Sequence, residues 1–127
     1  MILPIREALL DNGVSHFLRR KFSMSQLTNL AFFRARPGQT QALGSALSAL
    51  VAPTRAEAEC LTYNLHQSID DAEVWFVYEN WCSAEGSEAH MRAPHVQAFL
   101  KVAPDLIADD IDLRRFLMVT TPAAPRA

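Results

Sequence analysis

From Ser25 onward the chain alternates between two kinds of apolar spacing. The stretch SQLTNLAFFRARPG is dense in apolar and aromatic positions and stops at Pro37-Gly38, which predicts a strand from about Leu27 to Arg36. QTQALGSALSALVAP then places Leu43, Ala46, Leu47 and Leu50 three and four apart, a helix that Pro53 ends or kinks. ECLTYNLHQ and VWFVYENWC, separated by the polar turn SIDDAE, read as the two strands of a hairpin. Ser83 suits the cap of a helix running through Glu88 to Met91. Pro94 opens another, with Val96, Phe99, Leu100 and Val102 on its apolar side, and DIDLRRFLMVT reads as a last strand.

Strand, helix, strand, strand, helix, strand is the order of two split β-α-β units. It predicts an α+β ferredoxin-like sandwich, an antiparallel sheet with helices on one face. A sheet covered on one face should alternate apolar and polar residues, yet the two central strands do not. In the first strand, Leu27, Ala31 and Phe33 oppose Leu30 and Phe32; in the third, Val74, Phe76 and Tyr78 oppose Trp75, Val77 and Trp81. Burying two such aromatics is worth several kcal/mol at ~25 cal/mol per Å². The pattern therefore predicts a homodimer packed sheet against sheet.

Before this domain, residues 1–25 read as a helical appendage: Pro4 opens one short helix, Gly13 stops it, and Ser15 caps a second carrying Phe17, Leu18 and Phe22. The domain proper is expected over residues 26–120, with residues 121–127 as a tail. The 127-residue chain has the length of one ordinary domain.

A formal net charge of -2 leaves no basic stripe, which speaks against nucleic acid. Cys60 and Cys82 are too few for a disulfide framework and form no Cys-x-x-Cys motif, consistent with free thiols in the cytoplasm. LRRKFSM has the paired arginines of an export signal, but the mixed, arginine-containing SQLTNLAFFRAR follows instead of an uncharged apolar stretch. Nor does any segment approach the ~20 apolar residues of a membrane span.

Two stretches carry a family resemblance. EAECLTYNLHQSIDDAEVWFVYENW followed by SEAHMRAPHVQAF resembles the antibiotic biosynthesis monooxygenase (ABM) family of dimeric α+β barrel proteins. The matching positions are Glu57, Cys60, Leu61 and Tyr63, then Tyr78, Glu79 and Trp81, then Ala89, His90, Pro94 and His95, within residues 27–119. One departure is Glu59, where the family usually has the glycine that eases a helix-to-strand turn; it implies another turn geometry and a carboxylate near the pocket rim. The resemblance implies a pocket between sheet and helices in which a phenol or hydroquinone meets dioxygen without metal, flavin or other cofactor. Once deprotonated, such a substrate can itself give an electron to dioxygen. The protein supplies a base, excludes water and holds the developing anion.

Within that frame His90 is the first candidate for the base, because imidazole titrates near neutrality. His95 can orient it or bind a substrate oxygen, and Tyr63 can donate a hydrogen bond to one. Asn29, Asn64, Glu79 and Trp81 are expected to line the substrate site, Asn29 as an amide able to hold an oxyanion. Glu79, a carboxylate among aromatics, calls for a partner, with Arg34 or Arg115 on the neighbouring strands available. No metal is expected. Two histidines five apart stand ~140° apart on a continuous helix, Pro94 interrupts that helix, and no third ligand lies nearby in sequence. The haem-degrading branch of the fold is disfavoured, since no Trp follows Trp81. An isomerase acting beside a carbonyl, and a non-catalytic binding module for an aromatic metabolite, remain as alternatives.

Overall fold

In the computed structural model the described residues are 26–123, so the expected helical appendage of residues 1–25 lies outside them. Strand β1 (Leu27–Arg34) alternates buried and half-buried positions along its length, as one covered and one open face require. It ends two residues before the expected Arg36, because Ala35 and Arg36 leave the ladder and bond across to Glu73 and Leu106 instead. Helix α1 (Thr40–Ser48) follows and buries Leu43 and Leu47. A short helix α2 (Val51–Arg55) continues it.

The break between these helices falls at Ala49-Leu50 and not at Pro53, which sits inside α2. In the first turn of a helix the missing N–H of proline has no intrahelical partner to lose, so Pro53 is tolerated there.

Strands β2 (Cys60–Gln67) and β3 (Val74–Trp81) form the hairpin, helices α3 (Ala84–Arg92) and α4 (Pro94–Leu106) follow, and β4 (Asp112–Leu117) closes the order. The sheet runs β2-β3-β1-β4 with antiparallel neighbours throughout. The fold is the ferredoxin-like α+β sandwich. Ala31, Phe33, Leu43, Leu47, Tyr63, Val77 and Phe99 form the centre of the core between sheet and helices. Phe33 and Phe99 meet edge to face with centroids 6.0 Å apart, a geometry worth ~0.5–1.5 kcal/mol beyond its buried area. No helix among the described residues is long and apolar enough to cross a membrane.

Both central strands carry apolar side chains on both faces. Register pairs Ala31 with Val77 and Phe33 with Trp75 on the covered face, and Leu30 with Tyr78 and Phe32 with Phe76 on the other. That second face is only half-buried. Phe32 and Phe76 stack there with centroids 4.9 Å apart, His66 lies beside Phe76, and the Arg114 guanidinium covers Phe32.

Helix α3 begins at Ser83, whose hydroxyl accepts the Gly86 N–H, so the expected cap is present. Glu59 is built into the same junction: its carboxylate accepts a hydrogen bond from the Ser83 hydroxyl at 2.6 Å. Room for that side chain comes from Gly86, where an added Cβ would stand 2.6 Å from the Cβ of Glu59. Gly86→Ala should therefore destabilise the domain by about 1–2 kcal/mol, overpacking outweighing the gain in helix propensity. In a Glu59→Gly background the same change should cost clearly less. Chemical denaturation of the four members of this double-mutant cycle measures the coupling, and additive effects would show that the two side chains do not compete for space.

Candidate active site

Pro94 does more than start a helix. It holds Ala93 in an extended conformation, which separates α3 from α4 and turns the two helix ends toward each other. His90 closes α3 and His95 opens α4, so the two rings come from different helices, with centroids 6.0 Å apart. Both reach one oxygen of Glu57, in the turn between α2 and β2: His90 Nδ1 lies 2.7 Å and His95 Nε2 2.8 Å from Oε2. An ionised carboxylate can only accept. The two bonds therefore place a proton on His90 Nδ1 and on His95 Nε2, leaving His90 Nε2 and His95 Nδ1 as the nitrogens with free lone pairs.

Behind this cluster His90 is nearly buried between Trp81 and Tyr63, with ring centroids 4.8 and 5.6 Å away. Next to it on the covered face, Glu79 accepts the Trp81 indole N–H at 2.8 Å and an Asn29 amide N–H at 3.3 Å. The same Asn29 nitrogen donates to the Ser87 hydroxyl at 3.0 Å, tying β1 to α3. The Asn29 carbonyl oxygen is buried with no hydrogen-bond partner in the structure. Burial pushes the Glu79 carboxyl above the usual carboxylate range, against the Trp81 hydrogen bond and the nearby His90, which favour its charged form. Burial also raises the Tyr63 hydroxyl well above its ordinary value, and pushes the Cys60 thiol up to about 11. Tyr63 is thus held as a neutral donor.

A cleft of about 620 Å³ borders this cluster, lined by Glu57, Glu59, Glu85 and Glu88 with Trp81, Ala89 and Arg92 among its other walls. Its size lies within the range of small-molecule sites. Glu59 stands in that wall, as its departure from the family pattern implied.

Six of the seven site candidates come together: Asn29, Tyr63, Glu79, Trp81, His90 and His95. Asn64 does not. It faces the open side of the sheet opposite Tyr78, where its amide oxygen accepts a hydrogen bond from Arg55. The expected ion pair to Glu79 is replaced by neutral donors from Trp81 and Asn29, while Arg34 pairs with Asp71 and Glu73 at the far end of β1. A third potential metal donor is present against expectation, because Glu57 supplies from another segment what the neighbourhood in sequence lacked. Glu57 was visible only as the first residue of the family-like motif, and nothing local marked Ser87.

The raised Glu79 pKa has a sign. A carboxyl whose folded pKa lies above its unfolded value favours folding most at acid pH, and this contribution is lost as pH rises through the folded pKa. Glu79→Gln keeps an oxygen for the Trp81 and Asn29 donors and removes the titration. The variant should melt higher than the parent at neutral pH, with the difference shrinking toward pH 4. Melting curves of both proteins across that range are the check, and a constant difference would contradict it.

Comparison with known proteins gives the family of the fold. The family model described as antibiotic biosynthesis monooxygenase matches residues 27–102. Rv0793 of Mycobacterium tuberculosis, a monooxygenase candidate, is 35% identical over 71 residues, covering 56% of this chain and 69% of that protein. Among solved structures, PA3566 from Pseudomonas aeruginosa is 34% identical with a TM-score of 0.70, over 73% of this chain and 93% of its own. SO0527 from Shewanella oneidensis is 26% identical with a TM-score of 0.71, over 75% and 92%. The chain belongs to the antibiotic biosynthesis monooxygenase family.

Proposed function

We propose that the protein is a cofactor-independent monooxygenase, acting as a cytoplasmic homodimer on a small phenolic or quinol-type molecule with dioxygen. The observation that carries this reading is the shared Glu57 oxygen. By accepting the Nδ1–H of His90 it leaves Nε2 free to take a proton, and it stabilises the imidazolium that results. The base is thus oriented by a carboxylate through its other nitrogen, and packed between Trp81 and Tyr63 away from bulk water.

The substrate hydroxyl gives its proton to His90, and the electron-rich anion passes one electron to dioxygen. The two radicals join in a C–O bond, the peroxide anion takes the proton back, and loss of water leaves a carbonyl. The substrate is itself the reductant, which is why no redox group has to take part. Tyr63 is a hydrogen-bond donor for a substrate oxygen, and Arg92 is the cation of an otherwise acidic cleft wall. That wall favours a neutral substrate over a carboxylated one. His95 holds the second bond to Glu57 and so fixes the carboxylate that orients the base.

The dimer reading rests on the half-buried face. Leu30, Phe32, Phe76 and Tyr78 present an apolar surface on the side of the sheet away from the core helices, and a second copy packed face to face would complete their burial. Sedimentation equilibrium should find a dimer for the parent and a monomer for Phe32→Glu or Phe76→Glu. A monomeric parent at micromolar concentration would end this reading.

For the reaction, metal-stripped protein should consume oxygen above autoxidation with a panel of hydroquinones and anthrone-like phenols. His90→Ala should lose about 10²–10⁴-fold in rate, the usual weight of a general base. Unchanged uptake in that variant removes His90 from the mechanism. Hydrogen exchange into a carbonyl substrate without oxygen uptake would instead point to an isomerase, and binding without turnover to a binding module.

A further inference from the structure

We propose that Glu57, His90 and His95 also form a binding site for one divalent transition cation of the zinc class. Two imidazole nitrogens and a carboxylate oxygen are the donor set that such cations take, and the three ligand atoms all lie within 4.8 Å of one another. They come from three separate places, the turn before β2, the end of α3 and the start of α4. The convergence is therefore made by the tertiary fold and not by helix periodicity.

Both nitrogens already aim at a single point, the Glu57 oxygen, from 2.7 and 2.8 Å. Donors on a tetrahedral zinc at ~2.0–2.1 Å stand about 3.4 Å apart, whereas the three ligand atoms span up to 4.8 Å. The carboxylate therefore has to withdraw by roughly half an ångström, and the two imidazole nitrogens have to close on each other by about 1.4 Å. Glu57 can do so, because its side chain is part-exposed and belongs to a turn outside helix and strand. His90 is wedged between Trp81 and Tyr63, so the closing movement falls to His95, which is part-exposed in the first turn of α4.

A second observation points to a cation independently of the donors. Glu57 also lines the cleft, and the other charged groups in that wall are Glu59, Glu85, Glu88 and a single Arg92. Beside the donor Glu57, three further carboxylates against one guanidinium give the entrance a negative field that concentrates cations at the mouth of the site. The three protein donors leave the cation's remaining position for water or a ligand entering from the cleft.

On binding, each imidazole carries its one proton on the nitrogen away from the ion, so both remain neutral ligands. His90 Nε2 is then protonated and no longer a base. The loaded site and the proton-accepting site exclude one another, and the inference goes beyond the oxygen chemistry without resting on it.

The test uses the full chain, stripped of metal, titrated with zinc ions in a calorimeter and with cobalt(II) ions in a spectrophotometer. One cation per chain should bind at micromolar dissociation constant or tighter, with the intense visible bands of four-coordinate cobalt. Glu57→Gln and His95→Ala should each weaken zinc binding at least 100-fold and abolish those bands. His66→Ala, on the open face of the sheet, should leave both unchanged. Circular dichroism confirms folding, and neither tested ligand is deeply buried. Absence of binding at millimolar zinc, or binding that survives both ligand variants, overturns the proposal. The oxygen-uptake result for the stripped protein stands or falls separately.

Discussion

In the register of β1 against β3, Asn29 faces Glu79 and Ala31 faces Val77 on the side that the helices cover. The polar and apolar parts of the interior hang on that one alignment. A slip of one residue would carry Glu79 and Trp81 to the open face and bring Tyr78 and Asn80 inside, since strand side chains alternate. It would also break the hydrogen bonds by which Asn29 links Glu79 to Ser87 of α3. Ala31 and Val77 keep the core apolar at mid-strand, so the polar network is confined to the end of the sheet beside α3.

Two carboxylates at that end sit in opposite surroundings. Glu79 is sealed among Trp81, Asn29 and Ser87, with neutral donors, and burial raises its pKa. Glu57 is at the rim, reaches water on one side and accepts from two imidazoles on the other. The environment and not the residue type decides that one carboxyl resists ionisation while the other orients a histidine.

Membership of the ABM family says what the fold is, but a fold hosts more than one chemistry. The cleft wall of this chain is acidic. Glu59, where the resemblance leads to the expectation of a glycine, binds the cap of α3 and adds a charge beside Glu57; the accommodation is made by the absence of a side chain at Gly86. A single side chain thus enters helix packing and the electrostatics of the entrance at once.

The local periodicities of the chain determined the elements, their order and the faces of the central strands, because side chains on a strand alternate whatever surrounds it. That was enough to put Glu79 and Trp81 on one face of their strand and Tyr63 opposite Asn64 on its own, while the family-like motif added His90 and His95 and the direction of Asn29 stayed open. The alternation that brought Tyr63 inward also sends Asn64 outward, so its exclusion was legible on β2. Only the tertiary structure could decide what lies across from each group. Glu57 meets His90 from 33 residues away, Arg34 finds Asp71 rather than Glu79, and the helix breaks at Ala49-Leu50 while Pro53 rides in the following turn. Each depends on where separate elements are docked, and docking is set by the sum of many core contacts, a quantity no local stretch of sequence contains.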